Sequence, residues 1–210
     1  MAQFETLAKA IIDCNAARVG ELTRKMVDEG IKPADIINRG LISGMDVVGT
    51  RFREGDMYVP EVMMAAKAMH TGMSIVKPLL AEGDISSGIK VIVGTVAGDL
   101  HDIGKNLVGM MMESGGMEVV DLGVDISAEK FVAAIRKHEP QVVGMSALLT
   151  TTMLEMKETI DLLKEEGLKN SVKVIVGGAP VTQEFAEKIG ADGWAPDAAS
   201  AKDLAQTLAG

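Results

Sequence analysis

Apolar residues recur every three to four positions through the first 84 residues, a spacing that predicts α-helices throughout this part of the chain. Asn15 is placed to cap a second helix, Pro33 to begin a third and Pro60 to begin a fourth. Gly55-Asp56 separates the third helix from the fourth. Four helices joined by short connections predict an antiparallel four-helix bundle.

The pattern changes at residue 89, where short β-branched apolar runs begin to alternate with helical segments. Strands are predicted at 89–95, 117–122, 141–146, 172–177 and 192–195, and helices at 103–115, 127–138, 151–167, 181–189 and 197–208. Five βα units in about 120 residues predict an α/β, Rossmann-like domain with a five-stranded parallel sheet in flavodoxin-like order. The polar, glycine-rich stretch 81–88 is the predicted linker between a bundle domain at 1–84 and a sheet domain at 85–210.

Charge and composition exclude several classes of partner and of metal site. A formal net charge of -9 offers no basic face, so we expect no nucleic-acid partner. A lone cysteine, Cys14, excludes an internal disulfide, and with three histidines it is too few for a closed zinc site of Cys and His ligands. Without a signal-peptide pattern or an apolar run of about 18 residues, we expect a cytoplasmic protein with no membrane partner.

The loop after the first predicted strand carries the main candidate chemistry. Loop 98–104, with the sequence GDLHDIG, leads directly into a helix, and ligands of open parallel sheets bind outside the carboxyl ends of the strands. Asp99 lies two residues before His101, so its carboxylate can accept from one imidazole nitrogen and leave the other as a base or a metal ligand. A surface pair or a helix cap is the alternative, and Asp102 is itself placed to cap the helix.

Two further segments fall at strand ends. The third predicted strand ends at Ser146 and is followed by Leu148 and a run of threonines at 150–152, while the fourth ends in Gly177-Gly178. In flavodoxin-like order the first and third strands are neighbours, so these loops converge with the Asp-x-His loop. Taken alone, the hydroxyl residues are equally typical of a helix cap, and the two glycines of an ordinary turn.

Together these motifs resemble a known family. The cobalamin-binding domain of methionine synthase, and of the small corrinoid proteins of anaerobic methyltransferase systems, carries motifs similar to Asp99-x-His101-x-x-Gly104, Ser146-x-Leu148 and Gly177-Gly178. The preceding helices resemble the bundle that caps the corrin in those proteins, so the resemblance covers nearly the whole chain. It implies that cobalamin or a related corrinoid binds with its own lower base displaced from the cobalt.

The resemblance also assigns roles in the transfer chemistry to three side chains. His101 would be the axial ligand to cobalt, and Asp99 behind it would fix the tautomer of the ring. Thr152 stands where methionine synthase has a serine that continues this relay. Coordination needs a neutral imidazole, so these three residues would link metal binding to proton transfer.

Other cofactor contacts are implied at positions that match the family. Ser146 and Thr150 would hydrogen-bond near the lower base, and the nucleotide tail would run past Leu148, Gly177 and Gly178. The remaining expected contacts are Gly98, Asp102, Ile103 and Gly104 in the loop, Trp194 where relatives commonly carry tyrosine, and Phe52 and Val59 in the segment that covers the upper face. Lys105 and Asn106 are placed either on the helix surface or at the lip of the crevice.

The resemblance implies a methyl carrier that is not catalytic alone. One substrate-specific methyltransferase would load a methyl group onto the cobalt, a second would pass it to a folate or a thiol, and a reductive activator would serve the cofactor. Two alternatives are a cobalamin-dependent sensor or regulatory module and the B12 subunit of a radical mutase, which shares the Asp-x-His-x-x-Gly motif. A receiver-like signalling domain fits the strand order but not the histidine-bearing loop.

Overall fold

The computed structural model describes residues 2–80 and 88–210. They form two compact units: the first comprises the described residues up to 80 and Glu113–Gly116, and the second comprises Gly88–Met112 and Met117–Gly210. The expected domain boundary after residue 84, and the expected linker apart from its last residue, lie outside the described residues. No helix within the described ranges is long and apolar enough to span a membrane.

The first unit consists of helices, as its apolar spacing predicts. Its elements are α1 (Ala2–Ile12), α2 (Ala16–Asp28), α3 (Pro33–Ile36), a π-helical segment (Ile37–Ile42), α4 (Ser43–Arg53) and α5 (Val59–Val76). The side chain of Asn15 accepts a hydrogen bond from the N–H of Arg18, which confirms Asn15 as the cap of α2. α1 packs against α4, and α2 packs against α5.

Two details of these helices differ from the prediction. The third helix is not regular, because Ile37–Ile42 forms a π-helical segment between α3 and α4. The apolar spacing does not reveal this wider turn, since its buried positions still fall on one face. The fourth helix ends at Val76 instead of continuing to Leu80, and Lys77–Leu79 forms a 3-10 turn. Pro78 lacks the N–H that would continue the α-helical ladder.

Two glycines let the third helix lie close to α1. A Cβ on Gly40 would lie 2.6 Å from Cδ2 of Leu7, and a Cβ on Gly44 would lie 2.9 Å from the backbone oxygen of Ala8. Both glycines therefore face α1, whose atoms occupy the space that a side chain would need.

We expect Gly44→Ala to lower the free energy of unfolding by about 1–3 kcal/mol, the usual cost of overpacking a core. The obstruction includes the backbone of α1, which cannot turn aside as a flexible side chain can. Urea unfolding followed by circular dichroism measures the change. The matched control is Gly109→Ala, because its added Cβ would meet only Val119 and Val93, at 3.8 and 3.9 Å. An equal loss in both variants would contradict the packing argument.

The second unit is the predicted α/β sheet domain. Its strands are β1 (Lys90–Thr95), β2 (Glu118–Asp121), β3 (Val142–Ser146), β4 (Lys173–Gly177) and β5 (Gly193–Trp194). Its helices are α6 (Ile103–Ser114), α7 (Ala128–His138), α8 (Leu154–Glu165), α9 (Gln183–Ile189) and α10 (Ala198–Ala209). The strands pair in parallel in the order β2-β1-β3-β4-β5, which confirms the flavodoxin-like arrangement.

Alternate residues of the central strand β1 enter two apolar cores. Ile92 belongs to a core that includes Phe131 of α7 and Met156 of α8. Val91 and Val93 belong to a second core that includes residues of α6 and α10. Both faces of the sheet are thus covered by helices, as a buried parallel sheet requires.

The register of the central strands brings three loops together. Thr95 at the end of β1 pairs with Ser146 at the end of β3, and Ser146 pairs with Gly177 at the end of β4. The loops after these strands therefore leave the sheet side by side, at the edge where ligands of such sheets bind.

Candidate functional site

Asp99 lies at the centre of a hydrogen-bond network at the carboxyl edge of the sheet, and it is fully buried. Its Oδ1 accepts from the backbone N–H of His101 at 3.1 Å and contacts Nδ1 of the same residue at 2.7 Å. Its Oδ2 accepts from the N–H of Leu148 at 2.8 Å and from the hydroxyl of Thr152 at 2.7 Å. A longer bond of 3.4 Å comes from the N–H of Leu149.

This network decides the protonation of Asp99. Burial raises the pKa of the carboxyl, but the hydrogen bonds from Leu148, Thr152 and His101 outweigh burial and hold the pKa well below its usual range. Asp99 is therefore ionised and can only accept hydrogen bonds. Nδ1 of His101 accordingly carries the proton that points at Asp99, and the lone pair of the neutral ring lies on Nε2.

The imidazole of His101 is presented outward. Its side chain is 52% exposed, although the carboxylate behind it is buried. Within residues 2–80 and 88–210, no group hydrogen-bonds to Nε2. No cluster of three or more His, Cys, Asp or Glu side chains in those ranges is arranged to hold a metal. Nε2 of His101, backed by the Asp99 carboxylate, is therefore a candidate protein ligand for a metal at this edge.

Thr152 reaches Asp99 because of the turn that precedes α8. The N–H groups of Thr152 and Met153 both bond to the carbonyl of Leu149, so α8 begins at Leu154 and not at 151 as predicted. This turn buries the Thr152 hydroxyl, which donates to the carboxylate. Thr150, two residues earlier, is exposed on the same turn.

Two residues that sequence reasoning missed also hold the Asp-x-His loop. The hydroxyl of Thr95, which is fully buried, donates to the backbone oxygen of His101 at 2.8 Å. Asp125, in the loop after β2, accepts from the N–H of Gly98 at 2.7 Å. A threonine at the end of an apolar strand is the only local signal for the first residue, and no local signal marks the second.

Gly178 is required by a backbone contact between two of the loops. Its φ is +130°, and a Cβ there would lie 1.8 Å from the backbone oxygen of Ala147. The N–H of Ala147 also donates to the carbonyl of Gly177 at 3.2 Å. The glycine pair therefore lets the β4 loop lie directly against the β3 loop that carries Leu148.

Large apolar side chains are exposed in the loop that carries His101 and in the β3 loop. Leu100 and Ile103, on either side of His101, are 73% and 71% exposed, and Leu148 and Leu149 are each 43% exposed. Exposed large apolar side chains are one feature of a ligand-binding surface. Leu100 was not among the predicted contacts, although it lies within the motif.

Among the polar residues at the start of α6, some are exposed and one is buried. Asp102 and Gly104 are exposed, and Oδ2 of Asp102 accepts from the Asn106 side chain at 3.1 Å. Lys105 is turned inward, with its Nζ 2.5 Å from Oδ2 of Asp121 and 2.6 Å from Oδ1 of Asn106. Its ammonium group is thus engaged within the domain instead of facing the crevice.

The other predicted contacts take the following positions. Trp194 is partly buried against the sheet core, and its indole N–H donates to the backbone oxygen of Val181 at 2.8 Å, which supports the β4–α9 loop. Phe52, near the end of α4, and Val59, at the start of α5, are partly buried within the first unit.

Comparison with known proteins identifies the family. The family model described as the B12 binding domain matches residues 89–202, and a second model of the same description matches residues 3–77. The chain belongs to the B12-binding domain family. Its cofactor is therefore cobalamin or a related corrinoid, and the resemblance read from the motifs is confirmed.

Relatives align over the whole chain. A corrinoid protein of Desulfitobacterium hafniense (strain Y51) is 47% identical, over 100% of this chain and 99% of that protein. The dimethylamine corrinoid protein of Methanosarcina barkeri is 46% identical, over 98% of this chain and 96% of that protein. The solved methanol:cobalamin methyltransferase complex of Methanosarcina barkeri contains a chain of 35% identity and TM-score 0.87, over 99% of this chain and 80% of that one.

The residues at the carboxyl edge of the sheet fit a corrinoid. An imidazole with an accessible Nε2 and an ionised carboxylate behind it is a suitable donor to a metal in a macrocycle. The exposed leucines and isoleucine of these two loops suit an apolar macrocycle face.

Proposed function

We propose that this protein is a methyl carrier, whose bound corrinoid supplies the cobalt on which a methyl group travels between two methyltransferases. The observation that carries the proposal is the outward Nε2 of His101, whose ring is fixed by the buried, ionised Asp99. It is supported by relatives whose names place them in methylamine and methanol systems.

In this proposal the residues of the chain bind the cofactor and orient its protein ligand. His101 would supply a nitrogen ligand to the bound cofactor's metal, and Asp99 holds the ring in the tautomer that leaves Nε2 free. Thr152 holds the carboxylate from behind through its hydroxyl. We further propose that the positions matched to the family's motifs contact the cofactor, among them Leu148, Gly177 and Gly178 along its nucleotide tail. Phe52 and Val59 would shield its upper face from water.

The proposed partners follow from the carrier role. We propose a substrate-specific methyltransferase as donor, a folate- or thiol-dependent methyltransferase as acceptor, and a reductive activator. The solved complex of a related corrinoid protein with its methanol:cobalamin methyltransferase supports the first of these.

The deciding experiment loads the protein with hydroxocobalamin, reduces it, and supplies a radiolabelled methyl group from methyl iodide. A carrier is expected to pass the label to a thiol or a folate when the matching methyltransferase is added, and to retain it otherwise. Association of the chain that depends on adenosylcobalamin and is reversed by light would support a sensor instead. A lack of transfer together with such association would overturn the proposal.

We expect Thr152→Val to lower the free energy of unfolding of the corrinoid-free protein by about 1–2 kcal/mol, because the buried Asp99 loses a hydroxyl donor that nothing replaces. Corrinoid affinity is expected to fall by up to about tenfold, the lower end of the effect of residues behind a metal ligand. Urea unfolding and titration with hydroxocobalamin measure the two effects. Thr152→Ser keeps the hydroxyl and serves as the matched control, so equal losses in both variants would contradict a role for this hydrogen bond.

A further inference from the structure

We propose that Asp125 is a positioning residue for the axial histidine, acting through the backbone of the Asp-x-His loop. This inference rests on the proposed ligand role of His101. Asp125 lies between β2 and α7, outside every motif that the family resemblance supplied.

Asp125 binds both ends of one short stretch of the loop. Its Oδ1 accepts from the N–H of Gly98 at 2.7 Å, and its own N–H donates to the backbone oxygen of Asp99 at 3.1 Å. The two contacts enclose the Gly98-Asp99 unit. Gly98 itself has a φ of +74°. Glycine has many accessible backbone conformations, so contacts from outside the loop are needed to fix this one.

The backbone of Asp125 is also held in an unusual conformation. Its φ is +55°, a region that L-residues other than asparagine and aspartate seldom adopt. In this conformation the carboxylate and the N–H of Asp125 both contact the same loop. The structure therefore maintains a local strain at the position where two hydrogen bonds to the ligand loop are made.

The segment behind Asp125 is a firm support. Ile126 forms a parallel bridge with Val96, and the N–H of Ile126 donates to the carbonyl of Thr95 at 3.0 Å. The N–H of Thr95 donates in turn to the carbonyl of Gly123 at 3.0 Å. These bonds extend the pairing of β1 beyond its last strand residue and fix the loop after β2 on both sides of Asp125.

Asp99 is thereby held from two directions. Leu148 and Thr152, from the β3 side, bind its carboxylate, while Asp125, from the β2 side, binds its backbone. Since the ring and the N–H of His101 both contact the Asp99 carboxylate, fixing the backbone of Asp99 fixes the direction in which Nε2 points. Loss of the Asp125 acceptor oxygen is expected to loosen the loop while the side chains of Asp99 and His101 both remain.

Three substitutions separate the carboxylate from the backbone conformation. Asp125→Asn keeps an acceptor oxygen and tolerates the positive φ. Asp125→Gly relieves the φ but removes the acceptor, and Asp125→Ala loses both. A role for the acceptor oxygen predicts that the glycine and alanine variants behave alike, whereas a purely conformational role predicts that the glycine variant behaves like the parent.

The first measurements use the corrinoid-free protein. Amide hydrogen exchange of Gly98 is expected to be about five- to tenfold faster in the glycine and alanine variants, and unchanged in Asp125→Asn. The ¹⁵N signals of the His101 ring, assigned by comparison with His101→Ala, are expected to move toward those of an imidazole that exchanges between its two tautomers in the same two variants. Unchanged Gly98 exchange, or faster exchange with unchanged ring signals, would overturn the proposal.

The second measurement uses protein loaded with hydroxocobalamin. We expect affinity to fall about three- to tenfold in Asp125→Gly and Asp125→Ala, with a shift of the cobalt absorption bands, and to match the parent in Asp125→Asn. Parent-like affinity and absorption bands in Asp125→Gly would overturn the positioning role. If the parent and His101→Ala gave identical cobalt spectra, the ligand role of His101 would fail instead, and the ring signals of the corrinoid-free protein would still decide the contact of Asp125.

Discussion

His101→Ala protein is expected to fold as the parent does and to bind hydroxocobalamin at least 10–100-fold more weakly, with a changed cobalt spectrum. Loss of a residue behind a metal ligand already produces an effect of about that size, and here the ligand itself is removed. Stability should change little, because the ring is 52% exposed and Asp99 keeps its bonds from Leu148, Thr152 and the backbone. Absorbance titration and thermal unfolding of the corrinoid-free protein measure these two effects.

The matched control for this substitution is His138→Ala. His138 ends α7, which runs antiparallel to the strands, so it lies at the opposite end of the sheet from the loops that carry the site. This variant is expected to keep the parent's affinity and spectrum. A His101→Ala protein whose cobalt spectrum equals that of the parent would remove the basis for axial ligation.

Asp99→Asn is expected to have the second large effect, through the tautomer of His101. The ionised carboxylate can only accept, so it places the ring proton on Nδ1 and leaves Nε2 free. If the asparagine NH₂ faces His101, it donates to Nδ1 and moves the ring proton to Nε2, where it blocks coordination. If the NH₂ faces the other way, it meets the Leu148 N–H and the Thr152 hydroxyl, and a buried donor is left without an acceptor.

Either orientation of this amide carries a penalty. We expect corrinoid affinity to fall about 10–100-fold, and the free energy of unfolding of the corrinoid-free protein to fall by about 1–3 kcal/mol. Titration with hydroxocobalamin and urea unfolding give the two values, and ¹⁵N spectra of the His101 ring report the tautomer directly. Parent-like affinity with the proton still on Nδ1 would contradict the role given to the carboxylate.

Asp192→Asn provides a control for stability alone. Oδ2 of Asp192 accepts from the N–H of Val174 at 2.7 Å and lies 2.6 Å from Nζ of Lys169, so the substitution also disturbs a partly buried, hydrogen-bonded carboxylate. It is expected to lose stability while keeping the corrinoid affinity of the parent. A fall in affinity equal to that of Asp99→Asn would mean that general destabilisation, and not the tautomer, explains the effect.

The hydrogen bond from Leu148 to Asp99 also explains why Gly177-Gly178 is a glycine pair. Leu148 donates to the carboxylate only if the β3 loop keeps its course, and that course runs within 1.8 Å of where a Gly178 side chain would begin. The glycine pair therefore contributes to the site through backbone packing between two loops, in addition to the cofactor contact proposed for it.

Much of the architecture was determined by the sequence alone, because secondary structure and strand order depend on local periodicity and on the handedness of βαβ connections. The Asn15 cap and the change of period at residue 89 are local signals, and both predicted the structure correctly. The pairing of Asp99 with His101 is local too, since two residues in one loop can meet without help from the rest of the chain. The motifs and their order at the strand ends were sufficient to indicate the family.

Only the tertiary structure decided how that pair is held. Asp125 lies 27 positions from Gly98, and its contact has no signature in the neighbouring sequence. The family resemblance had already placed Thr152 in a relay with Asp99, 53 positions away, but only the structure shows its buried hydroxyl donating to Oδ2. The inward turn of Lys105 depends on the acid at the end of β2, and the π-helical segment Ile37–Ile42 fits the same apolar spacing as a regular helix. The low pKa of Asp99 likewise arises from donors on separate loops, which meet only because β1 and β3 end in register.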